Sequence, residues 1–282
     1  MRENGGVSER ATPGRVVLDG CALAYDVEGE GRPIVLLHGL GTSRAIWEGL
    51  RPRLGGRTVA VDLRGAGESV ERSPVELSLA RWAEDLRAVL GELGVSRPVL
   101  IGHSLGCSVA MKYASTWPDD VAALVLIGAE PRLSSLAPRM RAAAEGIAEI
   151  GLERWIAERW VENPPFSDRS LERSPELLDS YRALLLGNDQ DSYVRTCLAI
   201  AGAEDLTPAL RSIEAPALVI SGGEDDRTVP EAGAELARAL GDARFLEIEG
   251  VGHTIPTEAP EEVYGAIASF LAEAGLDAPD GV

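Results

Sequence analysis

Short, wholly apolar runs alternate along this chain with stretches of helical periodicity. Ile34 to Leu37, Thr58 to Val61, Val99 to Ile101, Val121 to Ile127 and Ala217 to Ile220 are too short for helices and carry no polar alternation, as expected of parallel strands covered on both faces. Arg244 to Ile248 follows as a last strand. Arg15 to Leu18 and Leu23 to Val27 flank Asp19-Gly20, which reads as a hairpin turn. Between these runs lie predicted helices: Arg44 to Leu54; the series Leu79, Trp82, Leu86, Val89, Leu90 and Leu93 with Ser78 as N-cap and Gly94 as stop; Leu105 to Trp117, ended by Pro118; Glu231 to Leu240; and Pro260 to Ala274. The alternation predicts an α/β fold, with a mostly parallel central sheet of about eight strands and helices on both faces.

One region breaks the alternation. Residues 130–210 are helical in character, with prolines at 138, 164, 165 and 175, and read as a helical lid inserted between core segments 14–129 and 211–275. Trp155, Trp160, Phe166, Tyr181, Tyr193 and Met140 gather there; most are expected to pack the lid on the core and a few to line a pocket. Residues 1–13 read as a disordered arm and 276–282 as a frayed tail.

Composition narrows the partners. With 45 acidic against 27 basic residues the formal charge is −18, which repels nucleic acid and anionic membrane surfaces. Cys21, Cys107 and Cys197 are widely spaced, without a C-x-x-C pair, so neither a disulfide framework nor a cysteine-rich zinc site is indicated. No apolar leader or membrane-spanning run is present, and the expectation is a cytoplasmic protein.

The chemistry centres on Gly102-His103-Ser104-Leu105-Gly106, which joins a buried strand to a helix. A strand turning that sharply forces strained backbone angles on its central residue and leaves no room for side chains on the flanking glycines. Ser104 is thereby lifted out at a helix N-terminus, where free N–H groups favour an oxyanion. His38-Gly39-Leu40-Gly41, after the third strand, is the second element; the backbone N–H groups of Leu40 and Leu105 are the candidate oxyanion donors. A serine nucleophile needs a base, and the chain has only three histidines. His103 adjoins Ser104 and points to the opposite face; His38 sits in the donor loop as a structural anchor; His253, in Gly250-Val251-Gly252-His253, remains as the base. Its carboxylate partner is sought at Asp225 or Asp226 after the seventh strand, or at Glu130 after the sixth, with Asp226 preferred. Arg64, in Asp62-Leu63-Arg64-Gly65-Ala66-Gly67-Glu68-Ser69, is expected to brace the loops through carbonyl oxygens.

From Arg15 to Ala274 the chain resembles the α/β-hydrolases. The resemblance rests on His38-Gly39-Leu40-Gly41, on the Asp62–Ser69 phrase, on Gly102–Gly106, on Gly223-x-x-Asp226-x-x-Val229-Pro230 and on Gly252-His253, in the order Ser, Asp, His. It implies the α/β-hydrolase fold, Ser104 as nucleophile, Asp226 and His253 as its partners, Leu40 and Leu105 as oxyanion donors, and no metal or organic cofactor. Within the superfamily the chain is most similar to the 3-oxoadipate enol-lactonase group and nearby small esterases, through Tyr193–Ile200, Asp205-Leu206 and Pro216–Gly222. The implied activity is hydrolysis of a small ester or lactone through an acyl-enzyme. The same triad serves carbon–carbon bond hydrolases and perhydrolases, and the scaffold also carries non-hydrolytic binding proteins. A homodimer, through the lid or the edge of the last strand, is compatible with the sequence.

Overall fold

The computed structural model describes residues 11–276, so the expected arm falls largely, and the tail almost wholly, outside the described residues. Eight strands form one sheet: β1 (Thr12–Leu18), β2 (Cys21–Glu28), β3 (Pro33–Leu37), β4 (Arg57–Val61), β5 (Val99–His103), β6 (Ala123–Ile127), β7 (Ala217–Gly222) and β8 (Ala243–Ile248). Their spatial order is β1-β2-β4-β3-β5-β6-β7-β8. β1 and β2 are an antiparallel hairpin through Asp19 and Gly20, both at positive φ, and β2 meets β4 antiparallel; every other pairing is parallel. β5 and β6 are buried at every position, so neither could show polar alternation.

Two elements differ from expectation. β1 begins at Thr12 and includes Pro13 and Gly14, which an edge strand tolerates because its outward N–H groups need no partner. The helix expected over Arg44–Leu54 is two pieces, a 3₁₀ turn Arg44–Trp47 and a short helix Arg51–Leu54. Pro52 at the start of the second piece has no N–H to continue a single helix.

The strand order matters for function. β3 is followed in sequence by β4 on one side, whereas β5 pairs with β3 on the other, with Leu37 opposite Gly102. Such a reversal opens a crevice at the carboxyl ends of the strands. The loops after β3 and β5, which carry Leu40 and Ser104, therefore emerge side by side. Between β6 and β7 the described elements are helical from Leu133 to Ser212, including Ala137–Ile150, Asp168–Arg173, Glu176–Leu186 and Gln190–Ala201, with a π-helical turn at Ile156–Trp160.

Candidate active site

Ser104 sits between β5 and the helix Leu105–Thr116 with φ 52° and ψ −116°, a region L-residues rarely occupy. Its N–H donates to the Ile127 carbonyl of β6 (2.9 Å), which fixes the turn. The flanking glycines are sterically required: a Cβ on Gly102 would lie 2.6 Å from the Cys107 nitrogen, and one on Gly106 would strike the Leu37 carbonyl. Leu105 occupies the first helical position, where an N–H has no intrahelical acceptor.

Ser104, Leu105, Gly39, Leu40 and His253 open on one cavity of about 350 Å³ between the strand ends and the helical insertion. His253 Nδ1 bonds to Asp225 Oδ2 (2.8 Å). This corrects the expectation for the acid: Asp225, not Asp226, meets the histidine. Asp225 is buried, and its carboxylate also accepts from the Thr228 hydroxyl (2.6 Å) and from the N–H groups of Arg227 (2.8 Å) and Thr228 (3.0 Å). Burial pushes its pKa up, but the His253 charge and the donated hydrogen bonds outweigh that and hold it at about 2. Asp226 is exposed, pairs with Arg227 and accepts from Asn163 Nδ2 (3.3 Å). The Gly222-Gly223 and Asp225-Asp226 doublets permit two alignments of the same phrase, and the strand end selects one. β7 runs through Gly222, where a Cβ would run into the Val251 and Gly252 carbonyls, and Asp225 stands three residues after that glycine. Glu130 is spent locally, accepting from the Arg132 N–H (2.8 Å).

The other two histidines are buried and support the loops. His38 Nε2 accepts the Leu63 N–H (3.0 Å) while Nδ1 donates to the Gly39 carbonyl (2.8 Å), so both ring nitrogens are committed. Burial pushes its pKa down. His103 Nε2 donates to the His253 carbonyl (2.8 Å). Burial first, and then the adjacent His253, carry its pKa down to about 3, leaving the ring neutral. Arg64 braces its loop mainly through carboxylates, those of Asp85 and Glu71, with the Leu18 carbonyl as a third acceptor.

Glu258 carries no signal in the sequence that marks it as part of the site. Buried to 2% exposure, it accepts the N–H groups of Gly252 (2.9 Å) and Ser167 (3.0 Å) on one oxygen, and the Thr254 N–H (3.1 Å) and hydroxyl (2.9 Å) on the other. It thus holds both chain neighbours of His253 and ties them to the insertion. Pro165 adds a second tie, its carbonyl accepting the N–H groups of His253 (3.0 Å) and Thr254 (3.1 Å). In sequence Glu258 is one more acid near a helix start. Thr228, bonded to both Asp225 and His253, was equally unmarked.

From the insertion, Met140, Trp155, Trp160, Tyr181 and Tyr193 line the cavity. Trp160 stacks on Tyr181 at 5.7 Å, and Phe166 packs edge-on against Tyr181 at 5.4 Å outside the lining. More of the large side chains face the cavity than expected. Among the described residues no group of three or more His, Cys, Asp or Glu could hold a metal ion, and no helix is long and apolar enough to cross a membrane.

A strained serine on a strand-to-helix turn, with a buried histidine–aspartate pair at the same cavity, defines a hydrolase scaffold of the nucleophile-elbow class. Residues 34–266 match the family model described as the alpha/beta hydrolase family, and the chain belongs to that family as a hydrolase. It is 26% identical over 274 residues, covering 94% of this chain and 95% of the relative, to 2-(acetamidomethylene)succinate hydrolase of Mesorhizobium japonicum. Among solved structures it is similar to a thermophilic esterase from Thermogutta terrifontis (TM-score 0.82, 29% identity, 94% of this chain and 99% of that one). It is also similar to the enol-lactonase from Burkholderia xenovorans (TM-score 0.83, 26% identity, 92% of this chain and all of the other).

Proposed function

We propose that this chain is a serine hydrolase that cleaves a small ester or lactone through an acyl-enzyme on Ser104. The observation that carries the reading is the Asp225–His253 pair opening on the same cavity as the positive-φ Ser104. Ser104 Oγ attacks the substrate carbonyl carbon and its proton passes to His253 Nε2. Asp225 holds Nδ1–H and stabilises the imidazolium. The oxyanion is met by the N–H groups of Leu40 and Leu105, residues that both line the cavity. As the carbon–oxygen bond breaks, His253 returns the proton to the leaving oxygen; water activated by the same histidine then releases the acid. Ester and enol-lactone cleavage by the two similar proteins of solved structure favours a carbon–oxygen bond as the target. The helical insertion is the lid over the pocket, and the three buried thiols fit a cytoplasmic protein.

The test is hydrolysis of short and medium acyl p-nitrophenyl esters, γ- and δ-lactones and 3-oxoadipate enol-lactone, with Ser104→Ala and His253→Ala beside the parent protein. Turnover is expected to fall on the order of 10⁵- to 10⁶-fold in either variant. Near-normal turnover in either sinks the assignment, and the best substrate separates a lactonase from a general esterase.

A further inference from the structure

The cavity above Ser104 is lined mainly by apolar and aromatic side chains with a few polar ones, and it carries three guanidinium groups. Arg139 on the helix Ala137–Ile150, Arg159 in the π-helical turn and Arg227 beside the acid loop all line it, and no Asp or Glu does. In a chain of charge −18 this is a local reversal of sign. Arg227 is already engaged, bonded to Asp226 and to the Asn163 carbonyl. Arg139 and Arg159 form no ion pair among the described residues, although both stand on a highly acidic molecule. Partial burial lowers the pKa of Arg139, the positive charge of Arg227 is the next cause, and the carboxylates of Asp226 and Asp225 act in the opposite sense.

Arg159 is placed by two local devices. The Val161 N–H reaches back five residues to the Ile156 carbonyl (3.2 Å), and the extra residue in that turn changes which side chains face the cavity. Opposite it, Gly146 leaves a gap: a Cβ there would come within 2.9 Å of Trp155 Cδ1 and 3.5 Å of Arg159 Nη1. The turn and the gap together bring Trp155, Arg159 and Trp160 to one wall. Two guanidinium groups on one cavity, neither with an ion-pair partner of its own among the described residues, leave donors free, and the planar donor fork of arginine matches the two oxygens of a carboxylate.

We propose that Arg139 and Arg159 recognise a carboxylate on the substrate, at the end away from the scissile carbonyl, so that the preferred substrate is an anionic ester or lactone derived from a dicarboxylic acid. The carboxylate is placed at that end because both arginines belong to the insertion, whereas Ser104, Leu40 and Leu105 stand on the strand-end loops. The inference rests on Ser104 hydrolysis for its turnover arm only. Both side chains line the cavity and reach solvent, and neither belongs to the buried core, so substituting them leaves the core intact.

The experiment compares mono-p-nitrophenyl glutarate with p-nitrophenyl valerate, which share acyl length and differ in the terminal carboxylate. Wild type is expected to favour the glutarate ester. Arg139→Gln with Arg159→Gln should lower its kcat/KM about tenfold or more, chiefly through KM, and leave the valerate ester within about twofold. Rising salt should erode the wild-type preference, because the site is partly solvated. An equal loss on both esters, or no wild-type preference, overturns the inference. Calorimetric titration of Ser104→Ala with glutarate tests the anion site without turnover. Glutarate binding that needs both arginines, in a protein that hydrolyses neither ester, supports the anion site and defeats the serine-hydrolase reading. Hydrolysis of both esters alike, with no glutarate binding, defeats the anion site and leaves the serine hydrolase standing.

Discussion

Two adjacent aspartates provide a sharp test of the site, because the structure gives them opposite surroundings. Asp225→Asn replaces a buried carboxylate that accepts from His253 Nδ1, the Thr228 hydroxyl and two backbone N–H groups. The two N–H groups on Oδ1 require the amide oxygen there, so the amide nitrogen falls at the Oδ2 position and donates toward His253. Nδ1 must then accept, and the ring proton moves to Nε2, the atom that has to take the serine proton. A base held in the wrong tautomer is expected to cost on the order of 10⁴ in kcat, which is about 5 kcal/mol of transition-state stabilisation. Asp226→Asn removes an exposed partner of Arg227; surface pairs are worth about 0–1 kcal/mol, so kcat should stay within about fivefold. The assay is p-nitrophenyl ester hydrolysis by both variants at pH 7, with circular dichroism and thermal unfolding to confirm that each is folded. A folded Asp225→Asn protein with near-parental kcat, beside an inactive Asp226→Asn, would refute the geometry and restore the alignment counted from Gly223.

Ser104→Gly should be more stable than Ser104→Ala by about 1 kcal/mol or more in urea unfolding, since glycine alone relieves a φ of 52°, while both are inactive. Glu258→Gln puts an amide nitrogen against the N–H donors of one carboxylate oxygen and should cost about 3 kcal/mol; because it releases one chain neighbour of His253, Gly252 or Thr254, kcat should fall more than KM rises. His103 is neutral in the fold with a pKa near 3 and takes a proton near 6.5 when unfolded. Between those values the unfolded chain binds more protons, so stability falls as pH drops below 6.5, by up to about 5 kcal/mol at pH 3. His103→Gln should flatten the pH dependence of the unfolding free energy by close to one proton over that window, and an unchanged slope would show that His103 is not buried neutral.

What could be read from the sequence followed from how each feature is encoded. Strands β3 to β7 were legible because a strand covered on both faces is a short run with few polar positions, and turn residues close each run. The placement of Ser104 on a strained turn and of His253 at the same cavity could be read because the elbow needs glycines at fixed offsets and because only three histidines compete. The aspartate that bonds to His253 lies one residue from the one expected because two glycines precede two aspartates, and counting cannot resolve a doublet against a doublet. The deciding fact is three-dimensional: Gly222 packs against the carbonyls of the histidine loop. Glu258 was invisible for a related reason. Its four donors come from residues 167, 252 and 254, and only folding brings residue 167 beside the other two.

Those donors also bear on the role proposed for the insertion. Pro165 and Ser167 belong to the insertion, yet they hold the backbone of His253 and the carboxylate that flanks it. Asn163 is fixed as well, between Arg227 and Asp226. The segment 163–167 is therefore a wall of the site rather than a cover, and displacing it would break the hydrogen bonds that aim the histidine. Arg139 and Arg159 stand outside that tether, on exposed turns of the insertion. The residues proposed to select the substrate can vary without disturbing His253, whereas changes at 163–167 should act on kcat even where the substrate is never touched. On that proposal, one scaffold can keep its histidine fixed while the arginine-bearing face is changed to suit another substrate.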